Sequence, residues 1–166
     1  SMLKRLKPIG TEGFPLGTDE LGRDMLSRLM AGARLSLFIG ITPVVLAFLT
    51  GSVIGILAGY AGGMTNTAIM RTVDVFYAFP SVLLAIALSG VLGAGLANSL
   101  TSLTIVFIPQ IVRVAESVTT QVRTRDYVEA ALASGASPFT IVRVHVLGNV
   151  LGPIFVYATS LIAVSM

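Results

Sequence analysis

The 166-residue chain has no cysteine, which excludes disulfide staples and thiolate metal sites. It has one histidine, His145, which cannot build a metal site alone and reads as an interfacial residue at the end of a loop. Charge is scarce too: 11% of the residues are charged, against about 25% in soluble domains. Catalytic signatures are also missing. No G-x-x-x-x-G-K-S/T phosphate loop, G-x-S-x-G elbow or H-E-x-x-H pair occurs, so neither ATP hydrolysis nor peptide cleavage is assigned to this chain. The formal charge of +3 does not form a basic stripe, so no nucleic-acid partner is expected.

Apolar sequence dominates instead, with 54% hydrophobic residues and a mean hydropathy of +0.89, a composition that belongs in a lipid bilayer. No charged residue occurs from Leu35 to Met70, from Val75 to Val112, or from Val146 to Met166. A membrane span takes about 20 residues at about 1.5 Å each. The first run therefore predicts a span over about 35–60, with a small-residue exit from Ala61 to Thr67. The second is too long for one helix, and Gly90, Gly93, Gly95 and Asn98 mark a turn inside it. It predicts spans over about 76–94 and 98–118, and the third run predicts one over 146–166. The expected fold class is all-α, a polytopic membrane helical bundle of about four spans. Arg71 and Asp74 lie between runs at a spacing that lets them pair.

Residues 1–16 read as a flexible tail, with Ser1-Met2 a candidate cloning remnant. Residues 17–34 predict an interfacial amphipathic helix, capped by Thr18, with Asp19 and Glu20 at its positive end and an apolar stripe through Leu21, Met25, Leu26, Leu29 and Met30. Gly51, Gly55 and Gly59 recur at i+4, so one helix face is bare and another backbone can approach it. Such a face serves either static packing or a moving interface. Pro43, Pro80, Pro109 and Pro153 each free a carbonyl and kink a helix. Among polar residues near the spans, Arg113 and Glu116 are expected to form a local ion pair, Asn98 to serve the turn, and Gln110 to line a translocation path.

The stretch 119–145 carries the strongest signal. From Arg123 to His145 it reads RTRDYVEAALASGASPFTIVRVH. Asp126 to Ser134 are good helix formers and Gly135 suits a left-handed C-cap. Ser137 then offers an N-cap oxygen and Pro138 fits the first helical position. A helix, a tight corner and a second helix should stand in water and present a small-residue surface to another protein.

Glu129-Ala130-Ala131, then Gly135, Leu147 and Asn149, resemble the EAA loop of permease subunits of ATP-binding-cassette importers. GTDELGRDMLSRLMAGARLSL from Gly17 and RTVDVFYAFPSVLLAIAL from Arg71 are similar to the dipeptide, oligopeptide and nickel branch of that family. Gly148 departs from it, standing where the family usually has proline.

The resemblance implies an ATP-driven importer of peptides or nickel. Its EAA helix would be a cytoplasmic coupling helix that meets an ATPase subunit through Tyr127, Glu129, Ala130, Ala131, Ser134 and Gly135. It implies a second permease subunit in a heterodimer, two ATP-binding subunits carrying ATP and magnesium, an extracytoplasmic solute-binding protein, and a prokaryotic inner (cytoplasmic) membrane. This chain would itself bind no cofactor and catalyse no reaction. Six basic residues fall on the tail side of the spans and five on the other, so charge chooses no orientation, and the resemblance puts the loop in the cytoplasm. Family members have six spans, and this chain matches the second to the fifth, as a fragment would. A secondary transporter, which needs ionisable residues near the midplane, and a small membrane channel or scaffold are the alternatives. The few mid-span charges oppose the first, and the large loop opposes the second.

Overall fold

A computed structural model describes residues 5–165; the candidate cloning remnant and the last residue of the fourth expected span lie outside them. Contacts divide the chain into two compact units, one up to Ile39 and one from Gly40 to Ser165. The helices are α1 (Met25–Ala61), α2 (Gly63–Tyr77), α3 (Ser81–Leu92), α4 (Leu96–Arg123), α5 (Asp126–Ala133), α6 (Pro138–Ile141) and α7 (Leu147–Ser165), with a π-helical turn at Val142–Val146. No β-strand occurs among the described residues.

Among the described residues three helical stretches are long and apolar enough to cross a membrane: Met25–Ala61, Leu96–Arg123 and Pro138–Ser165. The pair α2 and α3, bent by 86°, counts as a fourth if taken as one broken span. The break falls at Pro80, whose ring denies a backbone donor and pushes the preceding residue away from helical torsions. This corrects the expected span over 76–94. Its helix starts earlier, at Gly63, and residues 61–67 are no loose exit. The chain needs only Gly62 and Gly63, at φ +65° and +52°, to pass from α1 into α2.

The stretch before α1 also differs from its reading. Thr18 caps no helix; its hydroxyl accepts the Lys7 N–H at 2.9 Å. Asp19 does not enter a first turn either. Its carboxylate accepts the N–H groups of Leu21 and Arg23 at 2.9 and 2.8 Å and pairs with Arg28. Of the residues expected as a flexible tail and an interfacial helix, those from 5 to 24 are thus turns rather than tail or helix, because local side-chain acceptors outcompete the helix ladder. Asp24 supplies the cap of α1, accepting from Leu26 N–H at 3.3 Å and Ser27 N–H at 3.1 Å. No breaker interrupts the chain near Leu35, so α1 continues through the boundary that the sequence suggested.

In the larger unit the core runs along α4, with Val106, Phe107, Ile111, Val112, Ala115 and Val122 buried. Val150, Ile154, Ala158 and Leu161 from α7 join it. The glycine face of α1 meets α4 directly. A Cβ on Gly55 would lie 2.5 Å from both Ala115 Cβ and the Val112 carbonyl oxygen, and one on Gly59 would lie 2.7 Å from the Glu116 carbonyl oxygen. Gly51 similarly faces Ile111 and the Ile108 carbonyl. Outward, α1 shows Leu46, Leu49, Val53 and Leu57. A helix apolar on all sides suits a membrane setting.

Gly55→Val should therefore cost at least about 1–3 kcal/mol by overpacking against backbone. In detergent it should lower the thermal midpoint, while Gly152→Ala, with nothing within 4 Å, should not. Equal midpoints for the two variants would refute the close approach.

The Asp24 carboxyl is held below its ordinary value of 3.8 by the Ser27 hydroxyl, against a smaller upward push from desolvation, with the N–H groups of Ser27 and Leu26 helping. Because the folded value is the lower one, the cap contributes above the unfolded value and is lost as pH falls through the folded one. Protection of the Leu26 and Ser27 amides, relative to their intrinsic exchange, should be lost only as pH falls below 3.8, and Asp24→Asn should abolish that pH dependence.

Candidate functional site

The loop after α4 is built by short-range rules. Asp126 and Glu129 occupy the first turn of α5, where carboxylates suit the positive helix end. At the other end Gly135 takes φ +83°. Its N–H bonds to the Leu132 carbonyl at 3.0 Å, and Ala136 N–H reaches the Ala131 carbonyl at 3.1 Å, so the last turn closes in a Schellman motif. Two residues on, Ser137 caps α6 by accepting the Thr140 N–H at 3.3 Å, with Pro138 in the first turn. The corner is fixed at both ends.

Underneath, Val128 and Ile141 are fully buried, which anchors α5 and α6 to the core of the larger unit. Tyr127, Glu129, Ala130, Ser134 and Gly135 are exposed. Ala131 differs from them: it is half-buried and packs on the chain's own core. The Tyr127 ring stands 6.1 Å from the His145 ring, so His145 braces α5 against the π turn. Asn149 donates to the His145 carbonyl at 2.7 Å. The result is a braced peg that runs through the π turn into α7.

A second locus lies at the break between α2 and α3. A cavity of about 240 Å³ is lined by Phe76, Tyr77, Phe79, Leu84, Pro109 and Gln110, among others. Gln110, the residue expected on a path, thus lies in a cavity wall, and its side-chain oxygen accepts from the Tyr157 hydroxyl of α7 at 3.3 Å. One turn along α4, Arg113 departs from its expected partner. It forms an ion pair with Asp74 of α2, and its guanidinium lies 4.5 Å from the centre of the Tyr77 ring. Arg71 is the more distant partner of Asp74, at 3.9 Å.

Glu116 accepts instead from Asn66 of α2 at 2.6 Å and from Thr120 at 3.2 Å. The local Arg113–Glu116 pair is therefore replaced by two bridges from α4 to α2, because both side chains meet polar partners across the helix interface. Asn98 serves the turn as expected, donating to the carbonyls of Leu92 and Gly93 at 2.7 and 3.2 Å. Sequence reasoning missed Asp74–Arg113, Asn66–Glu116 and Gln110–Tyr157 as pairs; no local spacing signals partners 39, 50 and 47 residues apart. Among the described residues no group of three or more histidine or acidic side chains could hold a metal ion.

Comparison with known proteins agrees with this architecture. Residues 51–166 match the family described as binding-protein-dependent transport system inner membrane component. The chain is 44% identical over 150 residues to the di/tripeptide transport system permease protein DppC of Pseudomonas aeruginosa, covering 90% of this chain and 50% of that protein. It is 38% identical over 151 residues to the glutathione transport system permease protein GsiD of Pectobacterium atrosepticum, covering 91% and 50%. With the probable D,D-dipeptide transport system permease protein DdpC of Escherichia coli it shares 40% over 143 residues, covering 86% and 48%. The chain spans about half the length of these curated relatives.

Proposed function

The chain belongs to the family of binding-protein-dependent transport system inner membrane components, and on that premise we propose that it forms part of a permease subunit in an ATP-driven peptide importer. The observation that carries the reading is the braced peg of α5 and α6. Its exposed Glu129 and Ala130 sit on a buried anchor, and both ends of the corner are closed by hydrogen bonds. A peg of this kind can be pushed without yielding.

In this reading the peg faces the cytoplasm of a prokaryote and seats in a groove of an ATP-binding subunit, through Tyr127, Glu129, Ala130, Ser134 and Gly135. Ala131 contributes by holding α5 to the core. ATP and magnesium bind on a pair of such subunits, whose closure pushes the peg. The push passes through the π turn into α7 and rocks the helices around the cavity at Gln110. A second permease subunit, paired as a heterodimer, supplies the opposite wall of the path. An extracytoplasmic solute-binding protein delivers the cargo to the inner-membrane assembly. Peptides are favoured as cargo by the relatives, whose names specify di/tripeptide, D,D-dipeptide and glutathione transport.

Gly135→Val tests the peg, because a β-branched residue at φ +83° opens the corner. Ala130→Leu tests it independently by filling the exposed small-residue surface. In a complete assembly reconstituted in vesicles, both variants should insert normally and retain ATP hydrolysis. Peptide uptake should fall about tenfold, the equivalent of roughly 1.4 kcal/mol of lost docking. Undiminished uptake by both variants, or uptake driven by a proton or sodium gradient without ATP, would overturn the reading.

A further inference from the structure

Within one turn, α4 holds two polar side chains that reach to different helices. Gln110 bonds Tyr157 on α7, and Arg113 pairs with Asp74 on α2 while lying against Tyr77. Tyr77 and Gln110 both line the cavity at the break. Arg113 does not line it, but it acts on its wall through Tyr77. Pro109 stands next to Gln110 and removes one rung of the α4 ladder, so the helix yields most easily just where the two ties begin.

An arginine in an apolar segment is costly unless paired, and its presence there is a sign of function. The Arg113–Asp74 pair is about half exposed in this chain, at 44% and 46%, so as a stabilising contact it is worth little. Its geometric effect is larger. It fixes the last turn of α2, immediately before the 86° bend, against α4. The centre of the Arg113 guanidinium lies 4.5 Å from the centre of the Tyr77 ring, within cation–π reach. The walls set in this way are largely aromatic and aliphatic, with the Gln110 amide and the Ser81 hydroxyl among them. This is the chemistry that receives an apolar side chain beside a peptide backbone.

We propose that the cavity is a subsite for an apolar side chain of a peptide in passage, and that Arg113 is the positioning residue that sets its width by holding Tyr77. The inference rests on the peptide-importer reading. It goes beyond it in assigning a place and a selectivity to the cavity: peptides with bulky apolar side chains depend on Arg113, whereas glycyl peptides do not.

The test is uptake kinetics in vesicles holding the complete assembly, comparing diglycine with a phenylalanine-containing dipeptide. Arg113→Gln should raise KM for the phenylalanyl peptide about tenfold, as loss of about 1.4 kcal/mol of binding would do, with KM for diglycine and ATP hydrolysis unchanged. Arg113→Lys keeps a cation for Asp74 but not the guanidinium over Tyr77, and should restore only part of the change. Tyr77→Ala, which leaves the ion pair in place, should reproduce the KM effect. An equal change for both peptides, or none in either variant, overturns the inference while the importer reading stands. Absence of peptide uptake by the unsubstituted assembly overturns the reading beneath it as well.

Discussion

Backbone-to-backbone approach between α1 and α4 is the constraint on which the larger unit depends. Gly51, Gly55 and Gly59 present no side chain, and α4 fills the space with Ile111, Ala115, Thr119 and its own carbonyls. In a bilayer, apolar side chains gain little by leaving lipid for each other, so close van der Waals packing and interhelical hydrogen bonds must hold helices together. With α1 seated so tightly, α4 becomes the helix on which the larger unit is built. Everything functional is then referred to it: α2 through Asp74 and Asn66, α7 through Tyr157, and the peg through Val122 and Val128 in the common core.

The peg and the cavity are linked by α4 and by α7. α5 and α6 form a corner with no slack, α7 carries it back into the bundle, and the Tyr157–Gln110 bond joins α7 to α4 beside Pro109. Rigidity at the corner and a proline in α4 are complementary. In the proposed reading the corner would pass a push on to α7, and Pro109 marks where α4 can bend. The π turn at Val142–Val146 stands where the corner becomes α7, a kind of irregularity often found at working sites in helices. Gly148 follows two residues later, inside the regular α7.

Legibility in the sequence followed the range of the interactions. The corner from Asp126 to Pro138 could be read because its caps lie within a few residues of what they cap. The bare face of α1 could be read because helical periodicity alone puts Gly51, Gly55 and Gly59 in line. The all-α membrane class followed from composition. The start of α1 was misplaced because Thr18 and Asp19 look like a capped first turn, whereas their oxygens take the N–H groups of Lys7, Leu21 and Arg23. Arg113 was given the wrong partner because Glu116 is close in sequence, while Asp74, on another helix, is close in space. The bend at Pro80 was anticipated as a kink, but its size depends on how α2 and α3 each pack on α4.

The absence of cysteine makes the central claim directly measurable. A single thiol placed by Ala130→Cys is unique in this chain, and in a complete assembly it can be cross-linked or labelled from either side of the membrane. The account predicts a cross-link from position 130 to an ATP-binding subunit and labelling by an impermeant reagent only from the cytoplasmic side. Labelling from the opposite side, or no cross-link to an ATP-binding subunit in an actively transporting assembly, would contradict it.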